Sequence, residues 1–193
     1  MQIIFVFCLC SLLSHVVLSQ EGTLKLCGKL SQGLLTEDGT DVLETKNSKS
    51  LKGVHISIYC AETDHREELE TNFKSAYKVA LAPERLYTIT FSKDEHLNKV
   101  LEVSTYGITK YYLSKKSDLI TDVTLFKAEL NEELKHYMSE PVAKCSFHNR
   151  KKKMYWDMNH AQKSFQRFIE IISSEEKQQI IISTKGESAM LPK

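Results

Sequence analysis

Residues 1–19 contain no Lys, Arg, Asp or Glu and run almost unbroken through apolar side chains. The apolar centre of this segment, residues 3–13, matches a signal-peptide h-region in length and falls well short of the roughly 20 residues that span a bilayer. Ser19 puts a small side chain just before Gln20, so residues 1–19 are expected to be a cleaved signal peptide and the chain an exported protein. The missing basic residue at the extreme N-terminus leaves an uncleaved anchor as the alternative. Cys8 and Cys10 lie too early in the segment for a lipidation site.

A second long apolar run is absent. That excludes a later membrane-spanning helix from the expectation and leaves the exported portion soluble or surface-attached, in the periplasm, at the outer membrane or outside the cell. A basic excess is also missing, since 26 Lys and Arg face 25 Asp and Glu for a net charge of +1. Such a balance argues against nucleic acid as the principal partner. Glycine is scarce, at seven residues, and no Gly-rich phosphate loop, Gly-x-Ser-x-Gly elbow or His-Glu-x-x-His signature occurs. Acidic neighbours such as Glu67 and Glu68, Glu132 and Glu133, or Glu175 and Glu176 sit in polar stretches and read as solvated faces. With Cys8 and Cys10 removed, Cys27, Cys60 and Cys145 remain, enough for at most one intrachain bridge in an oxidising compartment.

What the chain does have is alternation. Leu24, Leu26 and Leu30 take turns with Lys25, Cys27 and Lys29, the two-residue period of a strand with one wet face. After a polar stretch, residues 32–52, the pattern returns with Val54, Ile56, Ile58 and Cys60. A charged turn is expected over residues 62–70. A third strand then carries Phe73, Ser75, Tyr77, Val79 and Leu81 and closes at Pro83, which has no amide to donate. Tyr87, Ile89 and Phe91 face inward on a fourth strand, Leu101 and Val103 on a fifth, and Val123 and Leu125 on a sixth beyond the polar residues 106–118. Many short strands separated by turns predict a mainly β fold, an antiparallel sandwich.

Within this pattern Leu51-Lys52-Gly53-Val54-His55-Ile56-Ser57-Ile58 resembles the PLxGVxVxV strand opening of carboxypeptidase regulatory-like domains. Leu86-Tyr87-Thr88-Ile89-Thr90-Phe91-Ser92-Lys93, followed by Lys99-Val100-Leu101-Glu102-Val103-Ser104-Thr105, is similar to the YxIxFSKxGYxxKxLxIxT signature found in secreted envelope proteins of Gram-negative bacteria. Asp122-Val123-Thr124-Leu125-Phe126 and Pro141-Val142-Ala143-Lys144 extend the likeness, which covers roughly residues 23–148. The resemblance implies a seven-stranded, transthyretin-like (Ig-like) β-sandwich over residues 20–127 and no catalytic residues. Two of the family's glycines are replaced: its Thr-Asp-x-x-Gly turn reads Thr71-Asn72-Phe73-Lys74-Ser75, and its Gly-Tyr pair reads Glu95-His96.

Residues 128–173 form an extension. A short helix is expected over residues 129–138, then a hairpin from Pro141 through the turn at His148, Asn149, Arg150 and Lys151 to Trp156. Asp157 is placed as an N-cap, and Met158, Ala161, Phe165, Phe168 and Ile172 recur at helical spacing as a stripe that docks on the sandwich. Residues 174–193 are read as a flexible tail.

Candidate chemistry is thin. Phase sends Cys27 and Cys60 to opposite faces of a sheet and argues against a bridge, unless Gly28 marks a bulge that reverses the alternation. Cys145 and His148 also point to opposite faces of a strand. His160 supplies at most one further ligand where zinc wants three or four, and His55, His65, His96 and His136 are scattered, so neither a metal nor a cofactor is expected. Arg150, Lys151, Lys152 and Lys153 form the sharpest charged run and lie beside Tyr155 and Trp156, a possible contact for anionic surfaces; a solvated hairpin tip is the simpler reading. The expected role is therefore a non-catalytic binding or scaffold module of the cell envelope, engaging a protein or envelope component. The alternative is a carrier of a small apolar ligand held between sheet and C-terminal helix, which requires a pocket of about 300 Å³ or more. An enzyme of unrecognised class is third.

Overall fold

The computed structural model describes residues 22–33, 49–71, 75–115, 118–127 and 132–188. The expected signal peptide, most of the polar stretch 32–52 and Phe73 lie outside the described residues. The fold is mainly β, in two mixed sheets. The first is organised on β1 (Leu24–Gly33), which pairs antiparallel with β2 (Lys49–Ser50) and β5 (Ala76–Leu81) and parallel with β8 (Asp118–Ile120) and β9 (Val123–Phe126). The second runs in the order β11 (Lys153–Trp156), β10 (Pro141–His148), β7 (Lys99–Ser104), β6 (Leu86–Ser92), β3 (His55–Cys60), β4 (His65–Glu70). Its β7–β10 pairing is parallel and its other pairings are antiparallel.

Alternation becomes burial as the two-residue period requires. Leu24, Leu26 and Leu30 of the first sheet share one core with Val54, Ile56, Ile58, Ile89, Phe91 and Val103 of the second. Tyr77 and Phe91 meet edge to face at 5.0 Å across that core. Phe91, Ile56 and Ile89 are completely shielded from solvent, and each large side chain so buried contributes roughly 1.5–3 kcal/mol.

Several expectations change. Within residues 20–127 the described residues carry nine strands, β1–β9, rather than seven, and the sheets are not purely antiparallel. Of the charged turn at 62–70, only residues 61–64 are a turn; His65–Glu70 is an edge strand paired along β3. Charge on both of its faces hides the alternation, and edge strands favour charge because it discourages pairing with other chains. The polar stretch 106–118 contains a helix, α1 (Lys110–Lys115). The sixth strand is preceded by β8, and the two are interrupted at Thr121 and Asp122. Here Asp122 Oδ1 accepts from the Lys29 amide at 2.8 Å, in place of a ladder carbonyl. Gly28 sits against the Thr121 carbonyl so closely that a Cβ would collide with it.

Two helices close one end of the molecule. The first is α2 (Glu132–Ser139). The second is α3 (Met158–Ser188), which continues past residue 173, where its end was expected. Asp157 caps α3 as expected, its Oδ1 accepting from the His160 amide at 3.0 Å. The stripe turns slightly differently from the expectation: Met158 is 67% exposed, whereas Phe168 and Ile171 are buried with Leu97, Leu134, Tyr137 and Met138 in a second cluster.

Ser75 and Glu95 take a left-handed backbone, with φ of 46° and 61°. The Ser75 carbonyl accepts from the Leu30 amide at 2.8 Å, which ties this turn to β1. Its own hydroxyl is buried with no hydrogen-bond partner. A left-handed L-residue costs roughly 1–2 kcal/mol, and a buried unpaired hydroxyl adds to that. Ser75→Gly relieves both at the expense of some unfolded-chain entropy. The substitution is expected to raise unfolding stability by about 1–2 kcal/mol, read as a higher urea midpoint at unchanged slope.

Candidate functional site

The inner face of β7 carries Lys99, Leu101 and Val103 in one phase. Leu101 and Val103 enter the shared core, while Lys99, at the start of the strand, reaches the region covered by α2 and α3. The neighbours that should fill this region are small. Ala143 stands opposite Leu101 on β10, and Ala161 of α3 lines the same space. Space remains between the sheets and the two helices: a cavity of about 310 Å³. Phe126, Tyr137 and Phe168 make an aromatic wall, with Phe168 centred 5.8 Å from Phe126 and 5.7 Å from Tyr137. Trp156 and the exposed Met158 also line the cavity.

Most polar groups around this cavity are already engaged. Asp122 Oδ1 holds the Lys29 amide, the Thr121 carbonyl accepts from the Tyr77 hydroxyl at 2.8 Å, and Thr124 Oγ1 meets Ser31 Oγ at 2.9 Å. The Tyr137 hydroxyl meets Ser164 Oγ at 3.0 Å. His160 Nε2 is occupied by the Pro141 carbonyl at 2.7 Å, which fastens α3 to the first residue of β10. Lys99 is different. Among the described residues its surroundings supply desolvation and no compensating carboxylate, and its ammonium is pushed down to about 8. Sequence reasoning passed over this lysine, although its two-residue spacing from Leu101 placed it on the inner face.

A second cluster lies at the far end of β3. The Glu62 carboxylate accepts from the Leu86 amide at 3.0 Å and from the Tyr106 hydroxyl, and the Cys60 thiol donates to it at 3.4 Å. These donors hold Glu62 down to about 2, the Tyr106 hydroxyl contributing most. With its oxygens taken by the fold, Glu62 straps the β3–β4 turn to β6 and the segment after β7.

Arg150, Lys151 and Lys152 occupy the β10–β11 turn, and Lys153 opens β11. All four are exposed. The structure brings two of them to one ring: Lys151 Nζ lies 4.8 Å and Lys153 Nζ 5.7 Å from the Tyr155 ring centre. His148 accepts from the Lys151 amide at 3.3 Å and packs edge-on against Tyr155. The tip is thus a set of cation–aromatic contacts, each worth roughly 0.5–1 kcal/mol at an exposed site.

Cys27, Cys60 and Cys145 are free thiols. Cys27 and Cys60 stand on strands of different sheets, β1 and β3, and are not the direct neighbours that a bridge was weighed for. Burial pushes the Cys145 thiol up to about 12, which keeps it protonated. Among the described residues no three His, Cys, Asp or Glu side chains gather as a metal site, and no described helix is long and apolar enough to cross a membrane.

No protein-family model matches this chain, and no curated protein matches it. Among solved structures it is similar to S.CueP, with a TM-score of 0.29 and 11% identity, over 53% of this chain and 61% of that one. It is also similar to catechol 1,2-dioxygenase from Acinetobacter sp. ADP1 inhibited by bound mercury, with a TM-score of 0.32 and 10% identity, over 57% of this chain and 55% of the dioxygenase. In both comparisons less than two thirds of the neighbour's length is covered.

Folding lowers the affinity of Lys99 for its proton, so between pH 8 and the unfolded value of 10.5 the unfolded chain holds more protons and stability rises with pH. Below pH 8 the charged ammonium weighs against the folded state. Lys99→Met is expected to be more stable than the parent by about 1–3 kcal/mol at pH 7, with the difference shrinking as pH rises toward 10.5. Urea unfolding at a series of pH values measures both.

Proposed function

We propose that this chain is an exported, non-catalytic binding module of the cell envelope that carries a small apolar ligand between its sheets and its C-terminal helices. The observation that carries the reading is the cavity of about 310 Å³ walled by Phe126, Tyr137, Phe168 and Trp156. Ligand sites begin at roughly 300 Å³ and combine apolar walls with a few fixed polar groups. Small side chains at Ala143 and Ala161 leave this volume open between the strands and α3. The charge-free segment 1–19 supports export.

We assign the body of the module to a carboxypeptidase regulatory-like β-sandwich. Support comes from the opening at Leu51 to Ile58, where Gly53 takes a φ of 62° and leads into β3, and from the left-handed Ser75 and Glu95 at positions where that family has glycine. Such domains serve as non-catalytic modules.

An uncharged naphthylamine probe, whose emission rises in apolar surroundings, is expected to bind the folded protein with one site. Trp156 is the single tryptophan, and energy transfer from it to the probe is expected because it lines the cavity. Ala161→Phe fills the space and should weaken binding at least tenfold with an unchanged circular dichroism spectrum. Probe binding that survives this substitution contradicts the cavity as the site.

A further inference from the structure

We propose that the occupant of this cavity is an acidic amphiphile, a single-chain carboxylate whose headgroup pairs with Lys99 and whose tail lies against Phe126, Phe168 and Trp156. The inference deepens the ligand-carrier reading and rests on it. A purely apolar molecule would cover the Lys99 ammonium without pairing it with a counter-charge from the described residues, an arrangement costing more than a paired one. An anionic head removes that cost and makes a charge-assisted hydrogen bond. The volume of about 310 Å³ suits a short single chain, at the lower end of ordinary ligand sites.

The groups around Lys99 leave the carboxylate's role open for a ligand. Asp122, at the junction of β8 and β9, is exposed and has one oxygen on the Lys29 amide. Tyr137 of α2 is kept protonated by burial, and its hydroxyl is taken by Ser164. His160 of α3 is bound to the Pro141 carbonyl. The ammonium predominates at pH 7 because its affinity for the proton falls only to about 8. Pairing with a carboxylate raises that affinity, so binding is strongest at pH values where both the ammonium and the carboxylate are charged. It weakens as pH rises above 8 and the free protein loses this proton.

The test compares decanoate with 1-decanol, two tails of equal length with different heads, by displacement of the naphthylamine probe from the full chain. At pH 7 decanoate is expected to bind at least tenfold more tightly than decanol, and this preference should shrink severalfold at pH 9.5. Lys99→Met should abolish the preference while retaining decanol binding, which shows that the variant is folded and its cavity intact. Equal affinity for the two molecules, or a preference that survives in Lys99→Met, overturns the acidic head and leaves the apolar cavity standing. Failure of both molecules and of the probe to bind overturns the cavity reading and this inference together.

Discussion

The contact between Leu24, Leu26 and Leu30 of one sheet and Ile56, Ile89 and Phe91 of the other is the interaction on which the rest of the molecule depends. Each sheet alone would expose an apolar face, and β1, bonded along both edges, cannot leave its sheet without breaking four pairings. The core therefore fixes which face of every strand looks inward. Once that is fixed, Lys99 has no choice of direction: it shares the phase of Leu101 and Val103.

The cavity begins where this layer runs out. Inner positions rich in branched and aromatic side chains give way to Lys99 and Ala143, and the helices complete the wall instead of a third layer of strands. Asp157 and His160 set the docking of α3, through a capped amide and through the Pro141 carbonyl respectively. Proline suits that first position of β10 because it has no amide to leave unpaired. The opposite end is built for rigidity. There Glu62 accepts from the Leu86 amide, and the buried Thr105 hydroxyl bonds to the Ala82 and Arg85 carbonyls. One end is closed by hydrogen bonds and the other by side-chain packing around a void.

Much of this was legible in the residues. Val54, Ile56 and Ile58, then Tyr87, Ile89 and Phe91, declare their inner faces by strict alternation, and Asp157 followed by an apolar stripe declares a capped helix. Strand direction was not legible, because alternation is the same read either way; the parallel pairings of β1 with β8 and β9 and of β7 with β10 are properties of the assembled sheets. Edge strand β4 was hidden by its charge. The place of a pocket between sheet and helix could be framed in advance. Its walls could not, since Phe126, Tyr137 and Phe168 come from three separate elements, β9, α2 and α3, whose packing no residue spacing records. Lys99 was within reach of sequence reasoning through its phase, and a lysine two residues before an inward leucine is the signal to look for.

A desolvated Lys99 at the cavity wall is the central claim, and titration of its side-chain nitrogen by NMR, assigned by comparison with Lys99→Met, tests it most directly. A midpoint near pH 8, apart from the remaining lysines near 10.5, is the predicted result. A midpoint for Lys99 indistinguishable from those of the exposed lysines would contradict it.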